Sequence, residues 1–165
     1  MPGRLLLLAA AAAVGCGARA STPADPAQAQ ALVVQFSHKT HVGDNLIGCG
    51  VCHPYARHSP NAGLAPESTC MGCHKFVSKQ KPDIQKLAAA FTAGRPLTWT
   101  RQHRVPDHVF FSHERHLAMG VGCKACHGEV AGMTLDHKVH ELQMGFCMDC
   151  HLQKQVTTDC LACHK

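Results

Sequence analysis

The pentapeptide Cys-x-x-Cys-His occurs five times in this chain and takes up ten of its eleven cysteines. The copies are Cys49-Gly-Val-Cys52-His53, Cys70-Met-Gly-Cys73-His74, Cys123-Lys-Ala-Cys126-His127, Cys147-Met-Asp-Cys150-His151 and Cys160-Leu-Ala-Cys163-His164. Two thiols at this spacing, with an imidazole directly after the second, form the attachment pattern of a c-type haem. The thiols add across the haem vinyl groups as thioethers, and the histidine is set against the iron as proximal ligand. Five motifs imply five covalently attached haems. Paired cysteines also hold zinc, and small exported chains use them as disulfide frameworks. Neither use requires a histidine at the same place in every copy.

The rest of the composition agrees with a fold built on cofactor. Only 5% of the 165 residues are aromatic, with one Trp and one Tyr, which is thin for a conventional core. Large apolar macrocycles supply the surface to bury, so the chain without haem is expected to be largely unfolded. The formal charge of +5 does not argue for nucleic acid. Two propionates on each of five haems add about −10, and the basic residues are scattered. They read as propionate partners and solvated surface.

The N-terminus reads as an export signal, residues 1–20. Arg4 supplies the basic start, and Leu5 to Val14 form an apolar run too short for a permanent membrane span. Ala13-Val14-Gly15-Cys16 resembles a bacterial lipobox, although Ala13 stands where leucine is usual. Cys16 is the one cysteine outside a motif and abuts the apolar run, which favours a lipid anchor there over cleavage after Ala20. Residues 21–33, rich in Ala, Pro and Gln, read as a flexible tether.

Residues 34–165 contain a duplication. Phe36-Ser-His-Lys-Thr-His41 recurs 75 residues later as Phe111-Ser-His-Glu-Arg-His116, and each copy runs into a pair of motifs. The plan is two dihaem modules, 36–75 and 111–152, a linker over 76–110 and a fifth haem on 153–165. In the linker, Pro82 and Asp83 suit a helix start. Ile84, Leu87, Ala88 and Phe91 share a face, and Gly94 and Pro96 stop the helix. No sustained alternation argues for a sheet. The expected fold has few short α-helices and irregular chain wrapped around five haems, with little or no sheet.

A haem iron with one histidine needs a second axial ligand, and the choice of ligand separates a carrier from a catalyst. Nine histidines lie outside the motifs. On a helix, residues three apart lie on nearly the same face, so His38 and His41 can reach the irons of neighbouring haems. His113 and His116 repeat this in the second module, and Phe36 and Phe111 are expected to pack on porphyrin. The fifth ligand comes from His103, His108, His137, His140 or the thioether of Met144, which would raise that haem's potential.

The Phe-x-His-x-x-His unit followed by Cys-x-x-Cys-His resembles small multihaem cytochromes of the c7/c3 type. The longer strings FSHKTHVGDNLIGCGVCH, TCMGCHK, PLTWTRQHRVPDHVFFSHERH and LQMGFCMDCH resemble the pentahaem cytochrome subunit of alternative complex III, with relatives in quinone reductase complexes. The likeness runs from about Val33 to Lys165. It implies a periplasm-facing electron carrier. The implied partners are molybdopterin-like and iron–sulfur subunits, an integral quinol-oxidising subunit and further acceptors. The tract Trp99-x-x-x-His103-x-x-Pro106-Asp107 matches one familiar in that family and favours His103 as the fifth distal ligand. The short export signal, where family members keep a membrane helix, is a departure from the pattern.

Four functions follow. The first is an electron-transfer subunit of a membrane quinol-oxidising complex, and the second a free or lipid-tethered periplasmic shuttle. The third is a small multihaem reductase and the fourth a sensor. The last two need an exchangeable ligand on at least one iron, and histidines outnumber what five closed irons require.

Overall fold

The attachment motifs are themselves helical turns, which is what brings cysteines three apart onto one side. The computed structural model describes residues 34–164, so the export signal, Cys16 and the tether lie outside the described residues. Helix α1 is Cys49–Cys52, α2 is Glu67–His74 and ends on the second motif, and α3 is Pro82–Thr92. Helices α4 (His113–Ala118), α5 (Lys124–His127), α6 (Met144–Gln153) and α7 (Cys160–Cys163) follow. A π-helix, Lys39–Asp44, opens the first module, and a 3-10 turn, Val130–Gly132, lies between α5 and α6. Among the described residues there is no strand, only an isolated antiparallel bridge between Val109 and His164. The fold is the expected one of short helices and irregular chain.

Helix α3 starts with Pro82 in its first turn and Asp83 at its positive end, as the sequence implies. Its buried residues are Leu87 and Ala90, whereas Phe91 is 45% exposed. The buried stripe is therefore turned from the face expected. The helix packs on α2, and the chain beyond it is pinned there because Leu97 N donates to Glu67 Oε1 at 2.7 Å.

The protein's own core is slight. Among the described residues, the buried apolar side chains are Leu87, Ala90 and Met133. Leu46, Phe76, Met119 and Leu161 are more than two-thirds exposed. Side chains of this size left outside a protein core are what porphyrin faces would cover.

The two repeats start alike. Ser37 Oγ accepts from Thr40 N at 3.2 Å, and Ser112 Oγ accepts from Arg115 N at 3.4 Å, so each serine caps the turn carrying its two histidines. They diverge one turn later. Gly43 of the first copy stands where the second has Ala118. The π-helix is packed against the 3-10 turn of the other module, where Lys39 N donates to Met133 O at 2.8 Å. A Cβ on Gly43 would fall on the Ala131 carbonyl oxygen. Glycine is therefore set by contact between the modules, not within one.

Candidate haem-binding sites

The histidines ahead of each module are held by their neighbours in one repeated arrangement. His41 Nδ1 lies 2.8 Å from Ser37 O, and His116 Nδ1 lies 2.8 Å from Ser112 O. A carbonyl only accepts, so Nδ1 carries the hydrogen and Nε2 keeps its lone pair for a metal. Phe36 stacks on His41 (centroids 4.4 Å, planes 18°) and meets His38 edge-on at 5.0 Å. Phe111 repeats both contacts, stacked on His116 and edge-on to His113, each at 4.7 Å. The phenylalanines thus hold imidazoles in place, a role the sequence reading did not give them.

The same second-nitrogen anchoring recurs on motif histidines. His53 Nδ1 is 2.8 Å from Gly63 O, and His151 Nδ1 is 2.6 Å from Thr157 O. His74 Nδ1 makes a longer contact of 3.4 Å to Val77 O. His113 Nδ1 is 2.8 Å from Pro60 O, which also accepts from the His113 backbone N–H at 3.2 Å. That carbonyl belongs to the first module and the imidazole to the second.

Facing rings test the fit to a haem. An iron between two imidazoles, with metal–nitrogen bonds of about 2.0–2.1 Å and about 1.1 Å from each Nε2 to its ring centre, holds the centres roughly 6 Å apart. His41 and His74 are 6.0 Å apart, His116 and His151 6.1 Å, and His113 and His127 6.3 Å. His38 lies close enough to His53 and His41 for their charges to depress its pKa, although burial is the larger cause. Burial likewise holds His127 below the usual histidine range, helped by His103 and His113. Both shifts favour the neutral imidazole, the form that binds iron, against the opposing charge of Asp136. The ring nitrogens His38 Nδ1 and His103 Nε2 are buried without a hydrogen-bond partner.

His103 sits 4.5 Å from His127 with the rings at 77°, and His108 sits 5.5 Å from His164 with the rings at 25°. An open cleft of about 280 Å³ beside His103 and His113 is lined also by Pro60, Asn61, Arg101 and Arg104. Its two guanidinium groups suit anionic propionates. Of the other candidates, His137 is exposed with Nδ1 3.2 Å from Leu135 O. His140 is exposed and stacks on Phe146 at 5.0 Å, and Met144 is 62% exposed at the start of α6.

The ten motif cysteines form no disulfides with one another. Burial pushes the thiols of Cys52, Cys70, Cys123, Cys126 and Cys147 up. Their secondary influences show which motifs adjoin. Cys70 is affected by Cys52, and Cys123 by a hydrogen bond and charge from Cys49. Cys126 is affected by Cys147 and Cys150, and Cys147 by Cys163. Among the described residues, no three His, Cys, Asp or Glu converge as a bare metal ion would need. The donors come as facing histidine pairs beside thiol pairs, which fits haem and not zinc.

The attachment motifs, the facing histidines and the short helices together are what holding several c-type haems requires. Residues 109–165 match the family described as cytochrome c7 and related cytochrome c. The chain is also similar to the menaquinone reductase multiheme cytochrome c subunit of Nitratidesulfovibrio vulgaris, with 28% identity over 159 residues. That alignment covers 80% of this chain and 76% of the relative.

Proposed function

We propose that this chain is a periplasmic electron carrier with five covalent haems, working as a subunit of a membrane-bound, quinone-linked oxidoreductase. The relative's name supports the quinone-reducing side of the expected family more than the quinol-oxidising side. Haem, when bound, supplies an iron that changes oxidation state at nearly fixed geometry. The protein's part is to hold it. Each motif supplies two thiols and a proximal histidine. His38, His41, His113 and His116 serve as distal ligands opposite His53, His74, His127 and His151.

The observation that carries the reading is the facing of His41 on His74, His113 on His127 and His116 on His151, with ring centres 6.0, 6.3 and 6.1 Å apart. Cys70 neighbours Cys52, Cys49 meets Cys123, Cys126 adjoins Cys147, and Cys147 adjoins Cys163. These neighbours support an order of second, first, third, fourth, fifth for the sites, with the modules joined through the first and third. An ordered file suits a relay between two partners, with the second and fifth sites as its ends. A catalyst would need one open iron, whereas the facing imidazoles at the second, third and fourth motifs support closed ones.

No described helix is long and apolar enough to cross a membrane; docking to a membrane partner or a lipid on Cys16 is the proposed means of association. The test is purification of the tagged native chain from detergent-solubilised membranes, with haem counted per polypeptide. Five haems, no carbon monoxide response and co-purifying redox and quinone-binding subunits are expected. A chain recovered alone from the periplasmic fraction would refute the complex and leave the free shuttle. A carbon monoxide-reactive wild type would refute the closed relay.

A further inference from the structure

The duplicated histidine pairs supply four distal ligands and leave His164, the histidine of the last motif, without one. We infer that His108 is the distal ligand of the fifth haem, an assignment that rests on the reading of five closed haems above. The geometry that favours it is built by backbone. Val109 pairs antiparallel with His164, and Phe110 N donates to Cys163 O at 2.8 Å. This short ladder binds the end of the linker to the fifth motif at a fixed register. His108 is the residue next to the ladder, and its ring centre comes to 5.5 Å from that of His164.

The turn that presents His108 is locally defined. Val109 N donates to Pro106 O at 2.9 Å, closing a four-residue turn over 106–109 with His108 at its third place. Arg104 Nη2 donates to Asp107 Oδ1 at 2.8 Å and braces the turn from the preceding chain. His108 is exposed and α7 is a single turn near the end of the described chain. A widening of under about 1 Å, which the iron requires, falls on the two elements freest to supply it.

His103, five residues earlier, is placed differently. Its ring is 4.5 Å from His127 and edge-on, too close for an iron between them. His127 already faces His113 at 6.3 Å with parallel planes. His140 stacks instead on Phe146 of α6, and His137 Nδ1 lies 3.2 Å from Leu135 O.

The experiment uses the full chain matured with its haems. Carbon monoxide difference spectra of the reduced protein and electron paramagnetic resonance of the oxidised protein are recorded for wild type, His108→Ala and His103→Ala. His108→Ala is expected to convert roughly one haem in five to a high-spin, carbon monoxide-binding form, and added imidazole to restore the low-spin signal. His103→Ala is expected to leave all haems low-spin. In a Cys160→Ala/Cys163→Ala background, which lacks the fifth haem, His108→Ala should open nothing further. If His108→Ala matures poorly, His108→Met keeps a ligand and should raise the potential of one centre alone. A fully closed His108→Ala protein overturns the assignment, as does a gain of carbon monoxide binding in His103→Ala only. A wild type with fewer than five haems, or already open, instead overturns the underlying five-haem reading.

Discussion

Replacing Gly43 with alanine puts a methyl group where the two modules touch. The new Cβ would overlap the carbonyl oxygen of Ala131, a backbone atom that cannot rotate away, and would also approach Lys39. Restoring an ordinary contact takes a shift of about 1 Å. That shift strains the Lys39 N–Met133 O bond of 2.8 Å at the same junction. Overpacking of this kind costs about 1–3 kcal/mol, and 2 kcal/mol lowers the melting midpoint of a domain this size by about 4–8 °C. The π-helix also carries His41, whose ring stands 6.0 Å from His74. Moving it should loosen that pair, so partial high-spin, carbon monoxide-reactive haem should accompany the lower midpoint. Gly145→Ala is the control of opposite sign. Nothing lies within 4 Å of that Cβ position in the first turn of α6, and losing a helical glycine should gain up to about 0.5 kcal/mol. Thermal unfolding of both variants, followed by far-ultraviolet circular dichroism with the carbon monoxide spectrum, decides the matter. A Gly43→Ala protein that melts and binds gas like wild type would refute the packing argument.

Removing the attachment cysteines, or maturing the chain without haem, should give a polypeptide with no cooperative thermal transition, since Leu87, Ala90 and Met133 are the buried apolar side chains described; a sigmoidal melt with dispersed amide resonances would contradict this. His116→Ala should open the fourth site and His41→Ala the second, each yielding one high-spin haem; an unchanged low-spin spectrum in either breaks that pairing. Ser112→Ala removes the cap on Arg115 N and should cost about 1 kcal/mol. Its carbonyl still holds His116 Nδ1, so denaturant midpoints should fall while the haem spectrum stays that of wild type.

Features that depend on neighbouring residues were legible in the sequence. The helical turn of each motif, the α3 boundaries set by Pro82 and Gly94, and the His-x-x-His duplication are all local patterns, and each is present. What the sequence could not show depends on contacts between distant segments. Phe91 fits the apolar period of α3 yet is exposed, because the depth of a helical stripe depends on what α2 presents to it. The π-turn of the first repeat answers Ala131 in the other module. The residues alone left His103 and His108 both open, and the family resemblance favoured His103. Only the bridge from Val109 to His164 brings one of them beside the last motif, and no periodicity encodes a bridge between segments that far apart. The role of Phe36 and Phe111 was also hidden, since an aromatic before a histidine reads equally as packing for a porphyrin or for the imidazole itself.

The linker over 76–110 gains a purpose from these contacts. It leaves the second motif through α3, fastened to α2 by Leu97 N on Glu67 Oε1, and ends in the ladder on the fifth motif. Those motifs are the two ends of the proposed file of sites. At the middle of the file the modules are joined directly, by Pro60 O on His113 and by the π-helix on the 3-10 turn. A duplicated dihaem unit alone would supply four histidine pairs and two loosely related halves. On the proposed reading, a strap from one end to the other fixes the span of the file, and His108 completes the coordination of the motif that the duplication left unpaired.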